Sequence, residues 1–252
     1  FNLKLIKVDF FVDLDKKYKN SEHEIKRYKF IFNNKNINDK DKVWSLVSES
    51  KSQLFQDLFV INELNYLKKG YFIEIGAANG IDLSNTYMLE KKFNWEGIVV
   101  EPAKAWVDQL IKNRKCKISN DCLYSESGKI VEFFETTKPE FSTINISGKQ
   151  KDIHEDYRNK NNKKYELKTI SFTDFSKKYN IPNNIDYVSI DTEGTEYEIL
   201  KSIDLNKFRI KIFTIEHNFS SNREKIAKYL NKHGYARVME EHSYIDDWYV
   251  LK

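Results

Sequence analysis

Cysteine, long apolar runs and a one-sided charge are what this chain lacks. Cys116 and Cys122 are its only two cysteines. On one extended strand they would lie roughly 20 Å apart, too far for a disulfide between them, and two thiols make no cysteine-rich metal site. No window of about 18 uninterrupted apolar residues occurs, which argues against a membrane-spanning helix. No charged-then-apolar leader opens the chain, so the expected compartment is cytoplasmic, and the sequons at Asn145 and Asn218 count as chance. The first residue is Phe1 rather than Met, which leaves room for an upstream domain. Lys and Arg total 42 against 38 acids, a net charge of +4 mixed along the sequence, and this balance does not by itself call for nucleic acid.

What is present is enough for one sizeable core with a small appendage: 252 residues, 40% hydrophobic and 14% aromatic. Residues 1–48 read as an N-terminal extension, strand-like over 1–12 and rich in Lys, Asn and Asp over 13–42, that packs on the main domain or on a partner. Residues 49–252 read as the main domain. A helix from Gln53 leads to a strand at Tyr71–Ile75. A helix over about 84–93 follows, then a strand at Gly97–Glu101, a helix opened by Pro102, a strand near 117–123 and an added strand at 129–135. After an aperiodic stretch at 136–165, too long for an ordinary connection, come a strand at 167–170 and a short helix bearing Phe172 and Phe175. The chain closes with strands at 185–191 and 210–216, a helix started by the capping box Ser221-x-x-Glu224, and two adjacent strands at 235–240 and 244–251. Alternating units of this kind predict an α/β fold, a mostly parallel sheet with helices on both faces, ending in an antiparallel hairpin.

The arrangement centres on residues 71–80, where an apolar strand carrying Glu74 breaks on Gly76 and Gly80. Glycines at those places let backbone N–H groups approach a ligand closely. A phosphate loop would need Gly-Lys-Ser/Thr after the last glycine, and Gly80 is followed by Ile81 and Asp82. A dinucleotide fingerprint would need glycines at 78 and 81, which are Ala78 and Ile81. In an open α/β sheet the ligand sits past the carboxyl ends of the strands, and four acids fall there: Glu74, Glu101, Asp191 and Glu216. Glu101, 25 residues after Gly76, is placed to accept hydrogen bonds from both ribose hydroxyls of a nucleoside cofactor. A helix N-terminal charge explains the same residue. Asn120 and Asp121, at the end of the third strand, are placed to meet the adenine.

The motifs Ser52-Gln-x-x-Gln-Asp57, Phe72-Ile-Glu-Ile-Gly-Ala77, Leu83-Ser-Asn-Thr-x-x-Leu-Glu90, Trp95-x-Gly-Ile-x-x-Glu-Pro102, Tyr187-x-Ser-Ile-Asp-x-Glu-Gly194 and Glu216-His-Asn218 occur in this order. Together they resemble the FkbM family of class I S-adenosylmethionine-dependent methyltransferases over about 50–250. The resemblance implies a Rossmann-like sheet of seven strands and O-methylation from S-adenosyl-L-methionine, with a sugar or glycan hydroxyl as acceptor, as in polysaccharide biosynthesis. It implies that Glu74 faces the methionine part of the cofactor, and that Gln56, Asp57, Gly76, Ala77, Gly80, Ser84, Asn85 and Asp191 line the same pocket. From the residues alone, Gln56 and Asp57 could be a solvated helix face and Ser84 a helix cap. A cofactor-binding module without turnover and an RNA methyltransferase are the competing readings, the second resting on lysines interleaved with Tyr157 and Tyr165.

A sugar hydroxyl must lose its proton as the methyl group moves, to a general base or through a metal that lowers its pKa. Two arrangements are open. His217 acts as base, oriented by Asp191 or Glu193, or Asp191, Glu216 and Asn218 hold Mg²⁺ through oxygen atoms. The sparse negative charge of the second set favours His217 without a metal. The 136–165 stretch is expected to be a lid over the acceptor.

Overall fold

The computed structural model describes residues 37, 39–138, 141–145, 155–160 and 162–252. The strand expected over 1–12 lies outside the described residues. The chain divides into two compact units, Phe1–Glu49 and Ser50–Lys252. In the first, helix α1 (Lys40–Leu46) starts where the Asp39 side chain accepts from the Lys42 N–H, leaving one fewer free donor at the helix start.

The second unit is built on a seven-stranded sheet. Its central strand β1 (Tyr71–Ile75) pairs in parallel with β2 (Glu96–Val100) on one side and β8 (Asn184–Ile190) on the other. Strand β3 (Lys117–Ser119) lies beyond β2, and β9 (Arg209–Glu216) beyond β8, both in parallel. The last strand, β11 (Asp246–Leu251), runs antiparallel to β9, and β10 (Tyr235–Val238) forms the outer edge against β11. The expected hairpin is therefore present, with its second strand inserted next to the parallel sheet.

The period of two along each strand sorts the side chains onto two faces. Ile73 and Ile75, Ile98 and Val100, Val188 and Ile190, and Phe213 and Ile215 share one apolar core. Helix α6 (Phe172–Tyr179) adds Phe172 and Phe175 to it, and α7 (Glu196–Lys201) adds Ile199 and Leu200. Ile226 and Leu230 come from α8 (Asn222–Lys232). The other face carries a buried polar row, because Glu74, Ser189 and Thr214 stand side by side on β1, β8 and β9. Helices α2 (Gln56–Glu63) and α3 (Tyr87–Phe93) pack against each other, and α4 (Val107–Asn113) links β2 to β3.

A second sheet, not expected from the sequence, has the order β4 (Cys122–Tyr124), β7 (Asn162–Ser171), β5 (Ile130–Thr136) and β6 (Thr143–Asn145). The strand expected over 117–123 breaks after Ser119, and its continuation β4 pairs with β7 instead. The added strand β5 belongs to this sheet too, paired with β7 and with β6. The aperiodic stretch thus contains β6, helix α5 (Glu155–Lys160) and the start of β7. Cys122, Tyr124, Val131, Phe133 and Ile144 make the small core of this layer. Ser221 precedes α8 without a side-chain capping bond, so the serine half of the expected capping box is not formed.

Candidate active site

The chain runs outward from β1 to β3 and returns to β8 on the opposite side of β1. The point between β1 and β8 is therefore a topological switch, where the connections diverge to opposite faces and leave a crevice at the strand ends. Gly76 lies at its base with φ +88°, and a Cβ there would stand 1.6 Å from the Asp191 carbonyl oxygen. Only glycine permits this approach. The Asp191 N–H donates to the Ile75 carbonyl, while Gly76 and Ala77 both donate to the Val100 carbonyl, so the three strand ends are tied together.

Glu74 is 2% exposed, and its carboxylate is surrounded. It accepts from the Ser84 hydroxyl at 2.9 Å, the Asn85 N–H at 2.6 Å and the Thr86 hydroxyl at 2.7 Å. Arg114, just after α4, adds a guanidinium bond at 3.2 Å. That guanidinium also donates to the Gly80 carbonyl, the Ser84 and Thr86 hydroxyls and the Glu90 carboxylate. Glu74 and Arg114 thus brace the glycine loop from beneath. Ser84 keeps a helix-starting role as well, its oxygen accepting the Tyr87 N–H at 3.1 Å. Arg114 was not singled out by sequence reasoning. The signal was the acid itself, since a carboxylate on a strand buried on both faces requires a cation.

Asn85 reaches across the polar row, its Nδ2 donating to the Ser189 hydroxyl at 2.9 Å. Its Oδ1 is buried with no hydrogen-bond partner among the described residues. Glu101, directly after β2, accepts the Ala78 N–H at 2.9 Å and the Ala103 N–H at 2.8 Å. Burial pushes its pKa up to about 7 despite these two bonds. Asn120 and Asp121 fall in the break between β3 and β4. Asn120 is exposed and donates to the Glu101 carbonyl, which keeps it beside Glu101. Asp121 turns the other way, bonded to Lys178, Tyr179 and Ser119, and those bonds hold its carboxyl below the usual range against the opposing effect of burial. The structure brings Asn120, and not Asp121, to Glu101.

On the other side of the switch point stands a group of acids with few cations. The ligating oxygens of Asp191, Glu193 and Glu216 lie within 4.8 Å of one another. Burial, and then the charges of neighbouring acids, push the Asp191 and Glu216 carboxyls well up. Asp246 opens β11 opposite Glu216 and is pushed up to about 7 by burial. Gln56 joins this group, donating to Asp246 at 2.6 Å. Asp57, its neighbour at the start of α2, instead accepts from the Ser50 hydroxyl and the Leu58 N–H. Glu193, at φ 58°, faces the Arg158 guanidinium at 3.3 Å, and the Thr143 hydroxyl donates to the Thr192 and Glu193 carbonyls. Those contacts fasten β6 and α5 onto the 191–194 loop.

His217 departs from expectation. Its nearest carboxylate is Asp247, with Nε2 3.7 Å from Oδ1, rather than Asp191 or Glu193. Its Nδ1 accepts the Phe219 N–H at 3.0 Å, which puts the ring proton on Nε2 and leaves no lone pair for an acceptor hydroxyl. Burial holds its pKa down to about 4, so the ring is neutral at physiological pH. Asn218, expected beside Asp191 and Glu216 in the metal arrangement, donates its side-chain amide to Glu216 at 2.7 Å. The geometric trio is Asp191, Glu193 and Glu216.

A nucleoside cofactor with a positively charged amino-acid tail fits these residues. The Gly76 cradle admits no Cβ, Asn85 Oδ1 is a buried acceptor without a donor among the described residues, and Glu101 is a buried acid with bonding capacity left. A family model described as the methyltransferase FkbM domain matches residues 74–244. Among curated proteins none matches the chain. Among solved structures, methyltransferase FkbM from Methylobacillus flagellatus KT is 10% identical, aligned over 83% of this chain and 58% of its own, with a TM-score of 0.45. A precorrin-6y C5,15-methyltransferase from Geobacter metallireducens GS-15 is 10% identical, aligned over 77% of this chain and 86% of its own, with a TM-score of 0.38.

Proposed function

Because the chain belongs to the FkbM family of methyltransferases, we propose that it methylates a hydroxyl of a sugar or glycan with S-adenosylmethionine as donor. When bound, that cofactor supplies a methyl group made electrophilic by a sulfonium. The observation that carries the reading is the contact of Gly76 with the Asp191 carbonyl, which sets a close-approach loop beside a buried acid at the switch point. Gly76, Ala77 and Gly80 shape the loop, and Ser84 holds it through Glu74. Glu101 accepts the ribose hydroxyls with Asn120 beside it, and Asn85 Oδ1 accepts the ammonium group of the methionine portion.

Asp191 and Glu216 take the proton from the acceptor. Two carboxyls this close do not both ionise readily, so near neutral pH the pair shares a proton and keeps one basic oxygen. Such a pair is a better base than an ordinary carboxylate, because its proton affinity is nearer the working pH. Glu193 holds the loop through Arg158.

Labelled methyl transfer from S-adenosylmethionine to glycosides tests this, with the product identified by mass spectrometry as an O-methyl ether. Asp191→Asn should reduce turnover about 100-fold or more, the lower range for a general base, and leave cofactor affinity within a few-fold. Normal turnover in that variant would remove Asp191 from the chemistry. Loss of activity with EDTA, restored by Mg²⁺, would instead give Asp191, Glu193 and Glu216 the role of holding a cation.

A further inference from the structure

Five large apolar side chains among the described residues are exposed: Leu83, Ile111, Ile130, Phe219 and Tyr244. Ile111 and Ile130 sit in ordinary helix and strand. Leu83, Phe219 and Tyr244 have φ of 61°, 55° and 52°, a left-handed backbone that side chains of this kind rarely adopt. Exposure and strain coincide at these three, and strained backbone of this kind clusters at ligand-binding surfaces.

All three are in loops at the same end of the sheet, past the carboxyl ends of β1 and β9 and before the start of the antiparallel β11. Phe219 is three residues past Glu216 at the end of β9. Tyr244 is two residues before Asp246, which pairs with Glu216 at the start of β11. Leu83 follows β1 and bridges to Ser52, and Gln56, four residues on, donates to Asp246. Phe219 is 60% exposed, and its ring meets Tyr244 edge-on with centroids 5.4 Å apart. From beneath, His217 meets Phe219 at 5.5 Å and accepts its N–H, so the buried imidazole fixes the turn that holds the phenyl ring out.

We propose that Phe219, braced by Tyr244 and positioned by His217, is the stacking platform for the acceptor's pyranose ring. The inference rests on the proposed sugar methylation. A pyranose offers a face of C–H groups, slightly positive, that matches the negative face of an aromatic ring. Its hydroxyls project from the ring edge, where carboxylates are the natural hydrogen-bond acceptors. Glu216, three residues from the platform, and Asp191 beside it supply them.

The probes are methyl α- and β-pyranosides of glucose, galactose and mannose, offered to protein saturated with S-adenosylhomocysteine and read by saturation-transfer NMR. At least one glycoside should receive saturation mainly on the C–H protons of one ring face. That signal should fall at least fivefold in Phe219→Ala and persist in Phe219→Trp. His217→Gln should weaken it as well, and S-adenosylhomocysteine affinity by calorimetry should stay within twofold in all three variants. An undiminished signal in Phe219→Ala would overturn the platform, and so would the absence of signal from every glycoside when S-adenosylhomocysteine binds. If S-adenosylhomocysteine itself fails to bind the wild-type protein, the methyltransferase reading falls and the platform with it.

Discussion

Glu101 is the residue at which cofactor recognition is most exposed to test. Its two oxygens are held by backbone donors and its burial leaves it reluctant to ionise, so hydroxyl donors from a bound ribose would be a net gain. Glu101→Ala should weaken S-adenosylhomocysteine binding tenfold or more, corresponding to about 1.5–3 kcal/mol for hydrogen bonds to a charged group. Unchanged affinity in calorimetry would reduce Glu101 to a cap for the loop. Gly76→Ala has no room at all, with the added carbon 1.6 Å from Asp191 O, and it should abolish binding and lower the melting temperature. Acids at strand ends were legible in the sequence because their position follows from the strand pattern. The fate of His217 was not, since it depends on an N–H two residues away and on Asp247 from the closing strand.

At the scale of elements, the glycine loop and the start of α3 are fastened by Arg114, which no periodic pattern marks. Arg114→Met would leave Glu74 buried without its cation, and a loss of roughly 3–5 kcal/mol in urea denaturation is expected. A loss below about 1 kcal/mol would show that the hydroxyls of Ser84 and Thr86 suffice. The buried acids at the strand ends, Asp246 at β11 and Glu101 after β2, predict a pH dependence. Burial raises Asp246 from 3.8 to about 7 and Glu101 from 4.5 to about 7, so between about pH 4 and 7 these two carboxyls hold more protons in the folded protein than in the unfolded chain, and together they outweigh His217, which burial lowers from 6.5 to about 4 and which acts the other way. Stability therefore falls as pH rises through that window and levels off above it. Glu90 acts oppositely. Its bonds to Lys91 and Arg114 outweigh the effect of burial and hold it down to about 2, so its contribution is lost only as pH falls below about 4.5. The ligand-free protein should melt at a higher temperature at pH 5.5 than at pH 8, and Asp246→Asn should narrow the difference. A higher melting temperature at pH 8 would contradict the charge imbalance. The division of residues 117–123 between two sheets was hidden from the sequence because Cys122–Tyr124 is as strand-like as Lys117–Ser119, and only the partner β7 decides between them.

For the whole molecule, the alternation of strands and helices sufficed to read the parallel sheet and its closing hairpin, while the switch point between β1 and β8 needed the observed strand order. The four-stranded layer was not legible, because β7 finds its partners β4 and β5 across long separations in sequence. That layer touches the site through Thr143 and Arg158, so it belongs to the same working unit as the strand ends. In the proposed function this unit holds S-adenosylmethionine at the switch point between β1 and β8. Isothermal calorimetry of the purified protein with S-adenosylhomocysteine and, separately, with a nicotinamide dinucleotide tests it most directly. One site for S-adenosylhomocysteine, lost in Gly76→Ala, and no heat from the dinucleotide is the predicted result; binding of the dinucleotide, or no binding of S-adenosylhomocysteine, would contradict it.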